Sequence, residues 1–521
     1  LRSRGLGDVY KRQIFRLPER PDSKRRIATA GDKDKALGLD VSPAVAILLA
    51  GRAVPYYLDR LVLGRINSYL CYAPFLNTKQ TMNRIILIGN GFDLAHGLPT
   101  SYTDFIRGYY TIQKLRLLEG ESELNDGLCS VKISNPEDRK LMEKFRWMLS
   151  NNMLRYVNNV GEITLTEQYN TFFNDHSKYE STFFEAINKA VETKNWVDIE
   201  SEYYSWLKKI YKRDKCEYTS PILLDKDLEM IKAYLITYLK IAQQKHFQPE
   251  LKKECICQTI YEPFHVNDIA YGNRKEFDEF LTARFEYLTM GNETEIDCFL
   301  QQFGQSHLSW RSDIDLYKDS IRGQNKQDAL DVSKHIKKVN DNKGNVPDCF
   351  LLPDQILLLN FNYTSTADLY VPKGSDFEIN HIHGELDNEK NPIIFGYGDE
   401  LDDDYKEIAK LNDNDYLKNI KSIRYLETDN YRRLLSFIAS APFQIYIMGH
   451  SCGNSDRTLL NTLFEHENCV SIKPFYHQKE DGSDNYIEIV QNISRNFNDM
   501  QLMRDRVVNK SYCLPLVPVG C

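Results

Sequence analysis

The sequence contains no long hydrophobic run. Its longest apolar stretch, Ala44–Ala50, is far shorter than the roughly 20 residues that a membrane-spanning helix needs, and Arg52 and Asp59 interrupt its extension. Hydrophobic residues at 42% and charged residues at 27% are typical of a chain that folds around a core. We therefore predict a cytoplasmic protein with no membrane partner.

Cysteine patterns that bind metal or build a disulfide framework are also missing. The 11 cysteines include no C-x-x-C motif, and Cys255 and Cys257 have no second pair with which to complete a tetrahedral zinc site. No haem or iron–sulfur spacing occurs. The sequence therefore predicts no metal cofactor, and thiols that are mostly free and buried.

An excess of positive charge is absent, since the formal net charge is -8. No Lys/Arg cluster is long enough to follow a phosphate backbone, so we do not expect nucleic acid as a partner. One acidic group, Asp399, Glu400 and Asp402–Asp404, has the oxygen ligands of a nuclease metal site. We interpret it instead as a solvated loop.

The first 81 residues differ from the rest of the chain. The opening LRSRGLGDVYKRQ resembles a translated sequencing adapter, and residues 14–81 show no sustained helix or strand period. We expect residues 1–81 to be a non-native or disordered extension and Met82 to be the natural start. The remainder exceeds the roughly 250–300 residues at which one core stops growing, which predicts two or more sub-domains.

Short, continuous apolar runs predict a parallel sheet whose strands are covered on both faces. The first run, Arg84–Gly89, ends at glycines. The others lie beyond residue 350 and are Ile356–Phe361, Ile379–His383, Pro392–Phe395, Phe443–Met448, Val470–Tyr476 and Tyr486–Val490. The pair Asp481–Gly482 is typical of a hairpin turn, so we expect the last run to be an antiparallel strand that closes the sheet.

A long region with the period of helices separates the first strand from the others. Residues 103–345 are charge-rich, and their clearest helix, Lys226–His246, has apolar residues three and four positions apart. Another helix begins within Asn195–Glu200. A further helix, Ser455–Phe464, follows a strand and has a Ser cap.

These elements predict an α/β fold. Its sheet is mostly parallel and Rossmann-like, and is formed by residues 82–102 and 346–516. A large all-helical insertion at residues 103–345 splits the sheet in sequence, and residues 517–521 are a tail.

The strongest chemical signal is the turn after the first strand. Two glycines at the carboxyl end of a buried strand let backbone N–H groups approach a phosphate, and the following helix start adds a favourable dipole. The motif lacks the G-K-[ST] of a Walker loop and the third glycine of G-x-G-x-x-G, and a tight structural turn is the alternative. The candidate ligand-binding residues here are Gly89, Asn90, Gly91, Phe92, Gly97, Pro99 and Thr100.

Two further polar turns follow apolar strands. Asn362, which precedes Tyr363, can hold a ribose hydroxyl or a water, or can satisfy its own turn. His383, beside Gly384, is placed for proton transfer near neutral pH, and a structural strand histidine is the alternative. Strand alternation predicts that His381 lies on the same face as His383.

The fourth turn, Gly449–Asp456, connects a strand to a helix. It can bind a second phosphate or an adenosine ribose, and an ordinary helix cap is the alternative. Its candidate residues are Gly449, His450, Ser451 and Asp456. Because ligands of open α/β sheets bind beyond the carboxyl ends of the strands, four polar turns at these ends favour one shared nucleotide pocket.

Several segments together form a family pattern. They are IILIGNGFDLAHGLPTSYTDF, NWVDIE, LLNFNYTSTADLY, HIHGEL with IIFGYGDE, IYIMGHSCGNSD and NFNDMQLMRDRVVN, within about Met82 to Leu516. This pattern resembles the AbiH family, and the resemblance implies a role in abortive infection, in which an infected cell stops supporting phage growth. Within NWVDIE, Trp196, Asp198 and Glu200 either line the pocket or form a packed Trp with a capping acid.

The order of the four turns is similar to that of sirtuin-like domains, which bind NAD. The matching positions are Gly89, Gly91, Gly97 and Pro99 in the glycine motif, Asn362, then His383 with Gly384, and Gly449 with Ser451. The resemblance implies that His383 is the base on a ribose hydroxyl and that Asn362 orients the nicotinamide ribose or a water. Asp93 replaces the family Ser and can supply a carboxylate, whereas Thr100 replaces the family Asp and the sirtuin zinc module is absent.

Two hypotheses follow from these observations. The first is a sirtuin-like, NAD+-cleaving effector of the nucleosidase type, with His383, Asn362 and Asp93 as its catalytic residues. The second is a nucleotide-binding sensor or scaffold that uses the same pocket without turnover. A phage-derived trigger and a homo-oligomer are compatible with either hypothesis.

Overall fold

The computed structural model describes residues 81–521, except for residues 152, 154, 158–162, 195–197, 304–309, 317–346, 373–374, 376 and 519–520. The predicted N-terminal extension, apart from residue 81, and Trp196 of the NWVDIE segment therefore lie outside the described residues. Within the described ranges, no helix is long and apolar enough to cross a membrane.

A five-stranded parallel sheet lies at the centre of the fold. Its strands, numbered in chain order, are β1 (Asn83–Ile88), β2 (Ile356–Asn360), β3 (Glu378–His381), β4 (Phe443–Met448) and β5 (Cys469–Phe475). Their order across the sheet is β5-β4-β1-β2-β3. Because this order reverses direction at β1, the turns after β1 and β4 lie next to each other at the carboxyl end of the sheet.

Both faces of β1 are buried, as its continuous apolar run predicts. Ile85 and Leu87 pack on one face, in a core that includes Leu459 from the C-terminal part of the chain. Ile86 and Ile88 pack on the other face, in a core formed largely with residues that lie between β1 and β2 in sequence. Burial of each side chain of this size stabilises the folded state by about 1.5–3 kcal/mol. β1 therefore contributes to the stability of the cores on both faces of the sheet.

The residues between β1 and β2 are mostly helical, and residues 102–316 are called the helical segment below. The short helix α1 (Asn90–Ala95) precedes it, and α2 (Ile199–Lys212) and α3 (Pro221–His246) belong to it. Its other helices are Tyr102–Glu119, Pro136–Ser150, Glu167–His176, Thr182–Lys194, Glu254–Ile260, Arg274–Met290 and Glu293–Gln301, and residues 310–316 are also helical.

The helical segment also contains short antiparallel strands, which corrects the prediction that it is all-helical. Glu123–Asn125, Cys129–Lys132 and Ser177–Tyr179 form a three-stranded sheet, and Arg155–Val157 pairs with Ile163–Leu165. Strands of three or four residues have too few alternating positions to show a strand period in the sequence.

The C-terminal part of the chain adds further helices, several of which pack on the sheet. They are α4 (Lys421–Arg424), α5 (Arg457–Phe464), Asp403–Ala409, Asn430–Ser440, Tyr486–Arg495 and Met500–Arg506. Short 3-10 turns occur at Pro249–Leu251, Val266–Asp268, Tyr271–Asn273, Asp348–Leu351, Thr366–Tyr370, Asn414–Tyr416, Tyr425–Glu427, Asn454–Asp456 and Lys510–Tyr512.

The run Tyr486–Val490 was predicted to be an antiparallel strand, and this prediction is wrong. It begins the helix Tyr486–Arg495, whose buried residues Tyr486, Ile489 and Ile493 have the spacing of one helical face. Asp481 and Gly482 do form a turn, but among the described residues no antiparallel strand closes the sheet.

The run Pro392–Phe395 is likewise not a strand of the sheet. It is irregular in backbone conformation although Ile394 and Phe395 are buried. The Ile394 N–H donates to the carbonyl of His383, so this run packs over the turn that follows β3.

One disulfide, between Cys255 and Cys521, is an exception to the predicted free thiols. The two cysteines are 266 residues apart in sequence, so no spacing motif marks the pair. Among the described residues, seven further cysteines are free thiols: Cys129, Cys216, Cys257, Cys349, Cys452, Cys469 and Cys513.

Candidate functional site

Five charged or titratable side chains meet beyond the carboxyl ends of the strands, and we call them the charged cluster: Glu200, His383, Lys421, His450 and Asp456. Asp456 is at its centre. Lys421 Nζ lies 2.8 Å and His383 Nε2 lies 3.3 Å from Asp456 Oδ1, and His450 Nε2 lies 3.6 Å from Oδ2. None of the five residues is more than 8% exposed.

Asp456 directly precedes α5, but its side chain does not cap this helix. It ends the 3-10 turn Asn454–Asp456, and its side chain makes no capping hydrogen bond to α5. The predicted Ser cap of this helix is wrong, because α5 begins at Arg457 and the residue directly before it is Asp456 and not Ser455. The carboxylate is therefore available to the charged cluster.

Glu200 comes from the helical segment and is the second carboxylate of the cluster. Its Oε2 lies 2.6 Å from Lys421 Nζ, and its Oε1 accepts the Gly396 N–H at 3.0 Å. Asp198 caps α2, since its Oδ1 accepts from the N–H groups of Glu200 and Ser201. The acids of NWVDIE thus have separate roles, because Asp198 caps the helix and Glu200 reaches the cluster.

Two carboxylates share one ammonium group in this buried site. Burial opposes ionisation of Asp456, but Lys421 and then His383 hold its pKa well below the usual value. The pKa of Glu200 is raised to about 8, because the effect of burial is larger than the opposing effect of Lys421. Burial also opposes protonation of Lys421, but Asp456 and Glu200 raise its pKa above the usual value. Near neutral pH, Asp456 and Lys421 are therefore charged.

The histidine tautomers follow from their partners. His450 Nδ1 accepts the Cys452 N–H at 3.0 Å, so its ring proton is on Nε2 and faces Asp456. His383 Nε2 also faces Asp456 and lies 3.1 Å from Tyr425 Oη. Burial and then Lys421 lower the pKa of His383, so it is neutral at pH 7. A carboxylate only accepts, so neutral His383 has its proton on Nε2 and a lone pair on Nδ1.

The other two predicted catalytic residues belong to a neighbouring group. Asp93 Oδ2 accepts from Thr364 Oγ1 at 2.6 Å, and burial raises the Asp93 pKa to about 6. Asn362 Nδ2 donates to the Gly89 carbonyl at 3.0 Å. Within the described residues, no hydrogen bond joins His383 to Asp93 or Asn362. The predicted catalytic triplet is therefore divided between two adjacent groups.

The glycine turn after β1 packs against the turn after β4. A Cβ on Gly89 would lie 2.5 Å from His450 Cα, and the Gly91 N–H donates to the Gly449 carbonyl at 2.8 Å. The Phe92 N–H donates to the Gly89 carbonyl at 2.8 Å. Close packing of two backbones is thus a structural reason for the glycines, and their binding of a phosphate stays a prediction.

The remaining candidate residues of the glycine motif hold the turn together. Thr100 Oγ1 donates to Asn90 Oδ1 at 2.6 Å, and the Pro99 carbonyl accepts from Tyr238 Oη at 2.9 Å. Gly97 has a φ of 79°, and a Cβ there would meet no atom within 4 Å. Asn90 is exposed.

The candidate residues of the later turns differ in their surroundings. Tyr363 Oη donates to the Ile394 carbonyl at 3.3 Å, and Gly384 has a φ of 90° against the Pro392 backbone. Ser451 is exposed. β3 ends at His381, so His383 lies beyond the strand and does not share a strand face with His381 as predicted. His381 Nδ1 contacts Asn360.

Sequence reasoning missed Lys421 and Tyr425. Lys421 begins the short helix α4, and no glycine turn or apolar strand precedes it. Its partner Glu200 is 221 residues away in sequence. The only sequence signal was the NWVDIE segment, which left the role of Glu200 open.

The acidic group after residue 398 was predicted to be a solvated loop, and this holds for Asp403 but not for Asp399. Asp399 is 3% exposed and lies 3.2 Å from Arg457 Nη1. Asp404 lies 2.9 Å from Lys212 of α2. Across the described ranges, no group of three or more His, Cys, Asp or Glu residues is placed to hold a metal ion.

The family of the chain follows from a comparison with family models. The model described as "Bacteriophage abortive infection AbiH" matches residues 85–477. The chain belongs to the AbiH family. The matched range extends from β1 to just beyond β5 and contains the whole charged cluster, so the AbiH match includes the site. No curated protein and no solved structure matches the chain.

Membership of the AbiH family implies a role in phage abortive infection. This role agrees with the resemblance stated for the glycine, NFNYT, HIHGEL and GHSCGNSD segments. The chemistry by which an AbiH chain acts is a separate question, because a fold and a family name do not specify a reaction.

Proposed function

We propose that this AbiH chain is a phage-defence effector that cleaves NAD+ between nicotinamide and ribose, with the charged cluster as its catalytic centre. The observation that carries the proposal is the convergence on Asp456 of His383, Lys421 and His450, which come from separate parts of the chain. A buried carboxylate that orients a neutral histidine is the arrangement that general-base catalysis needs.

The proposed reaction is hydrolysis of the N-glycosidic bond. The bond from ribose C1′ to the nicotinamide nitrogen breaks, and its electron pair neutralises the pyridinium. The oxygen of a water bonds to C1′ and the water gives one proton to His383 Nδ1, so that nicotinamide, ADP-ribose and one proton are the products. Positive charge that develops on the ribose is favoured near the buried carboxylate of Asp93.

The strand order also supports a nucleotide substrate. In open parallel sheets, ligands bind where the strand order reverses, and here this is between the turns after β1 and β4. The Gly91 and Phe92 N–H groups already donate within the protein, so this turn is not an open cradle for a pyrophosphate. We therefore assign no step of the reaction to the glycine turn. Asn362, beside it, is proposed to orient the ribose or the water.

Nicotinamide release from NAD+ tests the proposal. Purified protein is incubated with NAD+, alone and with lysate of phage-infected cells, and the products are separated by chromatography. His383→Ala should lower the rate by about 100-fold or more, which is typical for loss of a general base. His477→Ala is the matched control, because His477 is exposed and lies outside the cluster. No release under either condition, or equal release by His383→Ala, contradicts the proposal.

A nucleotide-binding sensor without turnover is the second candidate, because the strand order favours a ligand at this place without specifying a reaction. His383 is 3% exposed and Lys421 is 1% exposed, so a substrate has little access in this conformation. The two candidates differ in what His383→Ala does to phage plating. A sensor should still protect cells and bind nucleotide when His383 is replaced, whereas an NAD+-cleaving effector should lose protection.

A further inference from the structure

Lys421 and His383 face the same carboxylate oxygen. Lys421 Nζ is 2.8 Å and His383 Nε2 is 3.3 Å from Oδ1 of Asp456, whereas Oδ2 faces His450. The two nitrogens therefore share one acceptor atom. The shorter contact belongs to Lys421, which carries a full charge.

Lys421 is fixed in this position by contacts at both ends. Its ammonium group also contacts Glu200, and its backbone N–H donates to the Tyr397 carbonyl at 2.9 Å. A Cβ on Gly398 would lie 3.3 Å from Lys421 Cβ, so the stem of the side chain is closely packed as well. The ammonium group cannot leave Asp456 without leaving a buried carboxylate unpaired, which is strongly unfavourable.

The contact of Lys421 with Asp456 determines what His383 can do. An aspartate whose charge is not balanced by a cation favours protonation of a histidine beside it. With Lys421 on Oδ1, that charge is already balanced, and a second positive charge on His383 would lie close to the ammonium group. The other titratable groups near His383 are His450 and Tyr425, and Glu200 and Tyr363 lie near the same carboxylate.

We propose that Lys421 is a positioning residue that binds the Asp456 oxygen faced by His383 and thereby keeps His383 neutral, as the proton acceptor of the site. The step that uses this acceptor rests on the proposed NAD+ cleavage. The protonation of His383 does not, because it concerns only side chains that contact one another in the fold.

An NMR titration of His383 tests the proposal on the full chain. The histidines are labelled at ring Cε1, and the His383 signal is the one that His383→Gln removes. In Lys421→Met, the apparent pKa of His383 should rise by about 1 unit or more, the size of effect expected from one nearby charge. Lys421→Arg keeps the charge and should keep the pKa low. Lys418→Met is the matched control, because Lys418 is an exposed lysine three residues earlier.

A second variant keeps the test decisive if Lys421→Met does not fold. Lys421→Met with Glu200→Gln removes the ammonium group together with the carboxyl group that contacts it, and leaves Asp456 facing His383. The His383 pKa should rise in this variant too. An unchanged pKa in a folded variant that lacks Lys421 overturns the proposal.

The reaction gives an independent readout. If nicotinamide is released, the acidic limb of its pH–rate profile should move to higher pH in Lys421→Met and stay in place in Lys421→Arg. If no form of the protein releases nicotinamide, NAD+ cleavage fails while the NMR titration still decides the role of Lys421.

Discussion

Replacing Gly449 with alanine tests whether the turns after β1 and β4 are packed against each other. Gly449 has a φ of 76°, in the left-handed region that side chains disfavour. A Cβ there would lie 2.5 Å from the carbonyl carbon of Gly91 and closer still to the Phe92 nitrogen. Both are backbone atoms, so no rotamer change can relieve the overlap.

The expected loss of stability has two parts. The left-handed conformation costs an alanine roughly 1–2 kcal/mol, and forcing a methyl group into a closely packed place adds about 1–3 kcal/mol. Gly482→Ala isolates the first part, because Gly482 has a φ of 82° and a Cβ there would meet no atom within 4 Å. Gly449→Ala should therefore be less stable than Gly482→Ala by about 1–3 kcal/mol.

Urea unfolding followed by circular dichroism gives the midpoints of the two variants. Hydrogen exchange of peptides that cover residues 85–96 should also become faster in Gly449→Ala, because the strain falls on α1 and the turn before it. If the two variants unfold at the same urea concentration and exchange in this segment is unchanged, the turns after β1 and β4 are not packed against each other.

Two further predictions concern single side chains. Burial raises the pKa of Asp93 in the folded state from 3.8 to about 6. Between these pH values the folded state therefore binds more protons than the unfolded state. The free energy of unfolding of the wild type should fall by about 3 kcal/mol as the pH rises from 3.8 to about 6. In Asp93→Asn, urea midpoints should lack this fall, and a parallel fall in both proteins would contradict it. Thiol titration of denatured protein should gain two thiols on reduction, from Cys255 and Cys521, and Cys255→Ser should abolish this gain.

Four of the five strands of the sheet were predictable because each is buried along its whole length, as an apolar run covered on both faces predicts. The exception, β3, is short and its first residue is exposed. An apolar run does not by itself distinguish a strand from another buried element. Pro392–Phe395 is buried without strand pairing, and Tyr486–Val490 buries one helical face. Burial was therefore predicted more reliably than pairing.

The meeting of the polar turns was also predictable, because the carboxyl ends of parallel strands share one end of the sheet. This geometry brings His383, His450 and Asp456 together. Lys421 could not be identified, because a lysine buried by an ion pair has the same local sequence as an exposed one. The capping interpretation of Asp456 competed with the ligand interpretation, and both were compatible with a strand-to-helix turn.

The place of Glu200 links the helical segment to the chemistry of the cluster. α2 lies between β1 and β2 in sequence, yet its first turn puts a carboxylate on the ammonium group that also holds Asp456. A movement that withdraws α2 would remove one of the two carboxylates and leave Lys421 wholly on Asp456. Because the Lys421 ammonium group is buried, loss of its contact with Glu200 would change its surroundings, so the electrostatics of the site depend on the attachment of α2.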